Sequence, residues 1–456
     1  MQSVKCLLAV PALLLAALAS SPFQQKLAKD LRPEHALNRL AFGPRPGDIE
    51  AVRKLGLDRW IDRQLHPERI APNPVLAERL QPLATLSLSI EQVAERFPLR
   101  PQADKTARQA VATVARDLVQ AKIYRALYSD RQLEEVLTDF WFNHFNVYLN
   151  KGPERLMVGA YERDAIRPHV LGKFRDLLLA TAQHPAMLFY LDNWQSVDPK
   201  AFQSLKRAPK RTRGLNENYA RELMELHTLG VDGGYTQQDV VEVARCFTGW
   251  TLREPRRAAT YFFARRLHDT GEKTVLGHKI AAGGGEEDGL AVIDLLARHP
   301  STARFISRKL AQRFVADQPP PALIDRMAAT FTKTDGDLRE VMKTMIHAPE
   351  FFSQGAYRAK LKSPFEMVVS AARAVGADVT NALPLSARID QMGQPLYRKE
   401  EPTGYDNTAE EWTNSAGLLA RMNFGTALAA NRVPGTKVGS PDATGISLAS
   451  PEFQKR

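Results

Sequence analysis

Hydrophobic residues recur at helical spacing along most of this 456-residue chain, and that periodicity constrains the fold more than any other feature. The longest periodic stretch, Lys105 to Tyr128, contains neither proline nor glycine. Residues 261–279 depart from the pattern, because aromatic and β-branched residues there surround an Asp-x-Gly turn at Asp269. We therefore predict a mainly α fold, a multi-helix single domain with a small β-hairpin insertion near residues 261–279.

The two ends of the chain differ from this helical body, which we place at residues 33–430. Residues 1–19 contain one lysine, an apolar Leu- and Ala-rich run and a closing Ala-Leu-Ala, a pattern typical of a secretory signal peptide. Residues 431–456 are rich in Gly, Ser and Pro and predict a loose C-terminal tail. After signal cleavage, no remaining stretch is apolar and long enough to predict a transmembrane span.

Export changes how the cysteines and the charge are interpreted. Cleavage would remove Cys6 and leave Cys246 alone, which excludes an intrachain disulfide. It would also remove Lys5, which lowers the formal net charge of +11 by one. In a periplasmic or extracellular protein this positive charge favours an anionic polymer or envelope component as partner, and no nucleic acid is expected. Simple solubility explains the charge equally well.

The first candidate catalytic segment runs from Phe140 to Asn146. At helical spacing Trp141 and His144 share an apolar face, so His144 is predicted to be buried. A buried histidine is either a hydrogen-bonded core residue or a functional group. The neighbouring Asn143 could orient a substrate or cap a nearby backbone group.

The second candidate segment runs from Asn216 to Thr228. Glu222 falls inside its apolar arc, and a carboxylate in such a position must be paired, protonated or bound to a metal. Desolvation would raise its pKa, as a general acid requires near neutral pH. The alternative is a buried ion pair with an arginine from another helix.

Three further groups of residues complete the candidates. His268 and Asp269 could flank a pocket at the hairpin or form an Asx turn. The side chains of His144, Glu222, His227 and His268 offer ligand atoms for a divalent metal, although no metal-binding spacing motif connects them. An acid-free basic run could gather an anionic substrate or be an ordinary solvated loop, and it contains Lys206, Arg207, Lys210, Arg211 and Arg213.

Several motifs together resemble a bacterial family known as domain of unknown function 1800. They lie at 37–44, 140–145, 216–231, 248–250, 268–273 and 392–396, and the resemblance covers about Pro33 to Ala430. It implies an exported, mainly helical protein, often found beside a sulfatase-like protein, and it supplies no agreed catalytic residues. Tyr405 stands where the family usually has tryptophan, so substrate preference would differ if that residue lines a pocket.

Two functional hypotheses follow. In the first, the protein is an exported hydrolase or lyase for an anionic or carbohydrate-like substrate. Glu222 would be its acid or base, His144 or His268 the partner and Asn143 an orienting residue, with a divalent metal as a variant. In the second, the protein is a non-catalytic envelope binding protein or assembly partner, and Glu222 and His144 form a buried polar network. Convergence of these side chains at an open cleft would favour the enzyme.

Overall fold

A computed structural model describes residues 21–99, 105–203, 214–255, 259–439 and 445–456. The proposed signal peptide, residues 1–19, lies outside these ranges. So do Lys206, Arg207, Lys210, Arg211 and Arg213 of the basic run.

The described chain is built mainly from α-helices joined by short 3-10 turns, which confirms the predicted fold class. In its first half the helices are α1 (Arg32–Leu40), α2 (Asp48–Leu55), α3 (Leu57–Leu65), α4 (Pro74–Leu80), α5 (Ile90–Arg96), α6 (Lys105–Tyr128), α7 (Gln132–His144), α8 (Val158–Ala160), α9 (Phe174–Gln183), α10 (Pro185–Tyr190), α11 (Pro199–Gln203) and α12 (Glu217–Met224). In its second half they are α13 (Gln237–Cys246), α14 (Glu286–Arg298), α15 (Pro300–Phe314), α16 (Pro321–Lys333), α17 (Leu338–Ile346), α18 (Pro364–Ala374), α19 (Leu383–Gln391), α20 (Ser415–Ala429), α21 (Gly445–Ala449) and α22 (Pro451–Gln454).

Three antiparallel two-stranded ribbons interrupt the helices of the described chain. Their pairs are β1 (Trp250–Arg253) with β2 (Thr260–Phe263), β3 (Lys273–Val275) with β4 (His278–Ile280), and β5 (Asp378–Val379) with β6 (Thr436–Lys437). The segment 261–279, predicted to form one β-hairpin, therefore contributes strands to two separate ribbons, β1–β2 and β3–β4. Its tight turn lies at Leu276 and Gly277, which both have positive φ, as a two-residue hairpin turn requires.

The long helix α6 lies at the centre of the helical body. It packs against α4, α7, α18 and α19, and its uninterrupted helix-forming sequence explains why it runs for 24 residues. One continuous hydrophobic core includes buried residues from Leu40 to Leu448. This packing brings residues that are far apart in sequence to the carboxyl-terminal half of α7.

The C-terminal residues differ from the loose tail expected for residues 431–456. Helix α21 packs on α20, and Leu448 and Arg456 are buried. Backbone hydrogen bonds join Lys360 to Arg456 in both directions, at 3.2 and 2.8 Å, and the Lys362 N–H donates to the Gln454 carbonyl at 2.8 Å. This pairing and the apolar anchor at Leu448 hold a segment whose sequence shows no helical periodicity.

No helix among the described residues combines the length and the apolar composition that crossing a lipid bilayer requires.

Candidate functional site

A narrow cleft opens beside helix α7. Its walls come from α7, the segment that leads into α18, the loop at 394–412 and the C-terminal Arg456. They combine aromatic rings, amides and charged groups: Phe140, Phe142, Tyr397, Tyr405 and Trp412; Asn143, Asn146, Gln394 and Asn407; Lys122, Asp139, Arg313, Lys360, Glu366, Lys399, Asp406 and Arg456.

Asn143 fixes the loop that forms one wall of the cleft. Its Nδ2 donates to the Tyr405 carbonyl at 2.8 Å, and its Oδ1 accepts from the Tyr405 N–H at 2.8 Å. The approach is so close that a Cβ on Gly404 would lie 2.2 Å from the Asn143 carbonyl oxygen, and Gly404 has a φ of +69°. Only glycine fits there without strain, so the Gly404–Tyr405 turn is shaped by its contact with α7.

Asn146 fixes the same loop at a second point. Its Nδ2 donates to the carbonyls of Lys399 and Glu401, at 3.0 and 2.9 Å. Tyr405 then stands with its ring 5.5 Å from that of Trp412, at the cleft wall. Tyr405, singled out in the sequence by the family resemblance, therefore lines the cleft.

The floor of the cleft is a chain of alternating charges. Lys122 Nζ lies 2.9 Å from Asp139 Oδ1, and Arg313 Nη2 lies 3.5 Å from Asp139 Oδ2. Arg313 also pairs with Glu366, which accepts from Arg456 at 3.0 Å. These arginines outweigh burial and lower the pKa of Glu366 to about 2. Glu366 therefore stays ionised and does not serve as a proton donor near neutral pH.

Among the residues that line the cleft, Lys360 has a pKa lowered toward neutral pH. Its side chain is 2 % exposed, and its Nζ donates to Asp317 and to the Asn407 carbonyl. Burial lowers the pKa of Lys360 to about 8, and the bond to Asp317 opposes that shift. An amine with this pKa can exchange a proton in the neutral to mildly alkaline range.

Lys360, Arg313, Glu366 and Asp139 were not among the site residues predicted from the sequence. Glu366 looks structural because it completes a capping box with Ser363 at the start of α18. The one available signal in the sequence was that most residues around Glu366 are apolar. In the structure, every residue of α18 from Pro364 to Arg373 is buried. A charged group in such a helix needs a partner.

His144 and His227 come together, but outside the residues that line the cleft. Their ring centroids lie 6.3 Å apart, and His144 Nε2 is 3.1 Å from the His227 carbonyl. Both rings pack against Phe145. Burial lowers the pKa of His227 to about 3 and lowers the pKa of His144, so both rings are neutral at pH 7.

A change of helix type explains why His227 faces inward. Helix α12 continues after Met224 as a π-helical turn, Glu225–Leu229. The wider turn alters the 100° step on which the helical wheel depended. His227 is consequently buried.

Glu222 is half-buried rather than enclosed, and it does not line the cleft. Burial, followed by the nearby charge of Glu225, raises its pKa. Glu225 in turn accepts a hydrogen bond from the Tyr235 hydroxyl at 2.6 Å. The pKa of Glu222 is thus raised as predicted, although the side chain is only half-buried.

His268 and Asp269 belong to a separate group, which we call the hairpin cluster: the buried His268, Lys273 and Asp288 with the half-buried Arg245 and Asp269. Asp288 Oδ2 lies 3.1 Å from His268 Nε2 and 2.7 Å from Lys273 Nζ. Asp269 accepts two hydrogen bonds from Arg245, at 2.8 and 3.1 Å, and one from the Gly271 N–H at 2.9 Å. These bonds tie the ribbon β3–β4 to helices α13 and α14.

The proposed metal ligands do not form one site. Within the described ranges, no group of three or more His, Cys, Asp or Glu side chains has a geometry that could hold a metal ion. His144 and His227 are adjacent, whereas His268 is bonded to Asp288 and Thr248.

Comparison with family profiles confirms the family that the sequence motifs indicated. No curated protein and no solved structure matches the chain. The profile of the family described as protein of unknown function (DUF1800) matches residues 35–454, nearly the whole chain. The protein therefore belongs to the DUF1800 family.

Proposed function

We propose that this protein is an exported enzyme that acts on an anionic, carbohydrate-like substrate in the cleft. The observation that carries the proposal is the position of Lys360, a buried amine with a pKa of about 8, at the edge of an open cleft. The same cleft offers aromatic rings for the apolar faces of sugars, amides for hydroxyl groups and arginines for acidic groups.

Arg313 is suited to hold an acidic group of the substrate. Its Nε and Nη2 have no hydrogen-bond partner among the described residues, although Nη2 lies within 3.5 Å of Asp139. A guanidinium with unused donors binds carboxylate or sulfate oxygens strongly in a site with little water. Asn143, placed earlier as an orienting residue, would act indirectly by holding Tyr405 in the cleft wall.

Between the two reaction types, the cleft favours a lyase over a hydrolase. Glycoside hydrolysis commonly uses a protonated carboxyl group, whereas Glu366 is held ionised by Arg313 and Arg456. In a β-elimination, neutral Lys360 would remove the proton beside the substrate carboxylate. The carbon's electron pair would form a double bond, the bond to the leaving sugar oxygen would break, and water would supply that oxygen's proton.

The test is turnover of acidic polysaccharides, followed by the ultraviolet absorbance of an unsaturated product and by the release of reducing ends. We expect both signals, with a rate that rises through about pH 8 as Lys360 loses its proton, and no reaction with neutral polysaccharides. Lys360→Met should abolish turnover. Lys309→Met is the matched control, since burial also lowers the pKa of Lys309, which influences His144 electrostatically and does not line the cleft.

The outcomes separate the hypotheses. Reducing ends without absorbance would replace the lyase by a hydrolase. Loss of activity in Lys309→Met but not in Lys360→Met would move the chemistry to His144. The absence of turnover on every acidic polysaccharide would contradict the enzyme proposal.

One observation favours the second hypothesis, a non-catalytic envelope binding protein or assembly partner. Helix α20 presents Leu418, Leu419 and Met422 to solvent, and the last two are 60 % and 51 % exposed. Adjacent exposed apolar residues are typical of protein contact surfaces. The family resemblance suggests a sulfatase-like protein as the partner, and replacing Leu419 and Met422 by serine should then abolish co-purification with it while any turnover in the cleft persists.

A further inference from the structure

A second pocket lies across the C-terminal backbone pairing from the cleft. We call it the C-terminal pocket. It is open to solvent, and its polar walls include Glu34, Arg358, Lys362, Ser450, Glu452 and Lys455. Lys360 and Arg456 of the paired segments line the cleft, whereas Lys362 and Lys455 line this pocket. One short ribbon therefore supplies cations to two separate spaces.

Lys362 is a buried cation without a counter-ion. Its residue is 4 % exposed, and its Nζ lies 3.7 Å from the centre of the Phe453 ring. No carboxylate of the described residues lies within ion-pair distance of it. Glu366 influences it electrostatically, but the oxygens of Glu366 already accept from Arg313, Arg456 and the Ser363 N–H.

Arg421 is a second cation in the same condition. The residue is 1 % exposed, and its Nε, Nη1 and Nη2 have no hydrogen-bond partner among the described residues. Arg421 lies on α20, and Gly425 of the same helix packs against α21. Ser447 of α21 lines the C-terminal pocket. Arg421 is close enough to influence Lys362 electrostatically.

A buried basic group without a partner is unfavourable in its charged form, which at Lys362 is expressed as a lowered pKa. The acidic residues of the pocket do not relieve this cost. Glu34 accepts from Arg358 at 3.4 Å, and Glu452 lies at the exposed start of α22. A ligand that brought negative charge to Lys362 would remove the imbalance.

We propose that the C-terminal pocket binds an oxyanion, the phosphate, sulfate or carboxylate group of a ligand. Lys362 is its buried contact, and Arg358 and Lys455 attract it at the wall. Arg421 does not line the pocket and adds positive charge at longer range. This site is independent of the reaction proposed for the cleft.

Proton uptake gives the site a distinctive signature. Burial, opposed by Glu366 and assisted by Arg456, Arg358 and Arg421, lowers the pKa of Lys362 to about 7. Glu34, Glu452 and Lys455 face the same space. A bound anion favours the charged amine, so binding raises the pKa of Lys362, takes up protons near pH 7 to 8 and weakens as the pH rises.

The experiment is calorimetric titration of the full chain with inorganic phosphate, sulfate and acetate, at an ionic strength held constant with chloride. We expect saturable binding. If the natural ligand group is a phosphate or sulfate, phosphate and sulfate should bind with higher affinity than acetate. If it is a carboxylate, acetate should bind with the higher affinity. Repeating the titration in buffers of different ionisation enthalpy measures the protons taken up.

Lys362→Met is the decisive variant, because methionine keeps the contact with Phe453 and removes the charge. We expect at least a tenfold loss of affinity, no proton uptake and a melting temperature no longer raised by the anion. Arg421→Gln should weaken binding less, and Lys309→Met should bind normally.

The proposal would be overturned by no binding of any of the three anions, by unchanged binding in Lys362→Met, or by binding without proton uptake. Loss of binding in Lys360→Met alone would place the anion in the cleft and would also overturn it.

Discussion

The hairpin cluster and the cleft both contain a buried lysine, but the two lysines differ in what surrounds them. Lys273 donates to the carbonyls of Asp269 and Gly271 and to Asp288, so all three of its protons have acceptors. Lys360 has two acceptors and borders open space. The difference teaches that a buried charged group signals function when it faces a cavity, and signals architecture when its donors are fully used.

The strongest test of this comparison is Lys273→Met. Removing the ammonium leaves Asp288 with His268 alone in a buried position, so we expect the free energy of unfolding to fall by about 3 to 5 kcal/mol. Urea unfolding measures the loss. Lys279→Met, on the exposed strand of the same ribbon, should change stability by less than about 0.5 kcal/mol. A stable Lys273→Met protein with altered turnover would make the hairpin cluster functional.

His227 extends the comparison to a sealed, neutral group. Its folded-state pKa of about 3 lies below the unfolded value of 6.5, so the unfolded chain binds the proton first as the pH falls. The stability that this ring contributes is complete above about pH 6.5 and is lost toward pH 3, with about 2 kcal/mol gone at pH 5. His227→Leu should flatten the stability curve by that amount. The same pH dependence of stability in the original protein and in His227→Leu would contradict a lowered pKa for His227.

Asn143→Ala tests whether the cleft wall depends on its anchoring to α7. Loss of the two hydrogen bonds to Tyr405 should lower the free energy of unfolding by about 2 kcal/mol. It should also weaken substrate binding, because Tyr405 and the loop that carries it are released. Asn150→Ala, at an exposed asparagine nearby in sequence, is the control. Full substrate affinity in Asn143→Ala would show that the wall does not depend on this contact.

Glu222→Gln should have the smallest effect. The raised pKa of Glu222 means that its charged form is disfavoured in the folded state, so stability is lost as the pH rises through that pKa. Removing the charge from this half-buried site should stabilise the protein by less than about 0.5 kcal/mol at pH 7 and leave turnover intact. Loss of turnover with unchanged stability would return the acid–base role to Glu222 and break the case for the cleft.

The candidate site was only partly predictable from sequence. Asn143 was identified because it stands in a dense motif, and Tyr405 because it departs from the family pattern, and both line the cleft. His144 and Glu222 were identified from helical faces. That method finds buried polar groups, but it does not distinguish a group sealed by aromatic rings from one beside a cavity, and it fails where a π-helical turn changes the angular step, as at His227.

The sequence by itself determined the mainly α class and the family, because hydrophobic periodicity and contiguous motifs are local properties of the chain. Only the tertiary structure decided the cleft and the C-terminal pocket. Asp139, Arg313, Lys360, Glu366 and Arg456 lie on five different parts of the chain, and no spacing between them carries information. Their charges meet because α7, α15 and α18 all contribute residues to one hydrophobic core, and because the last residues pair with the segment before α18.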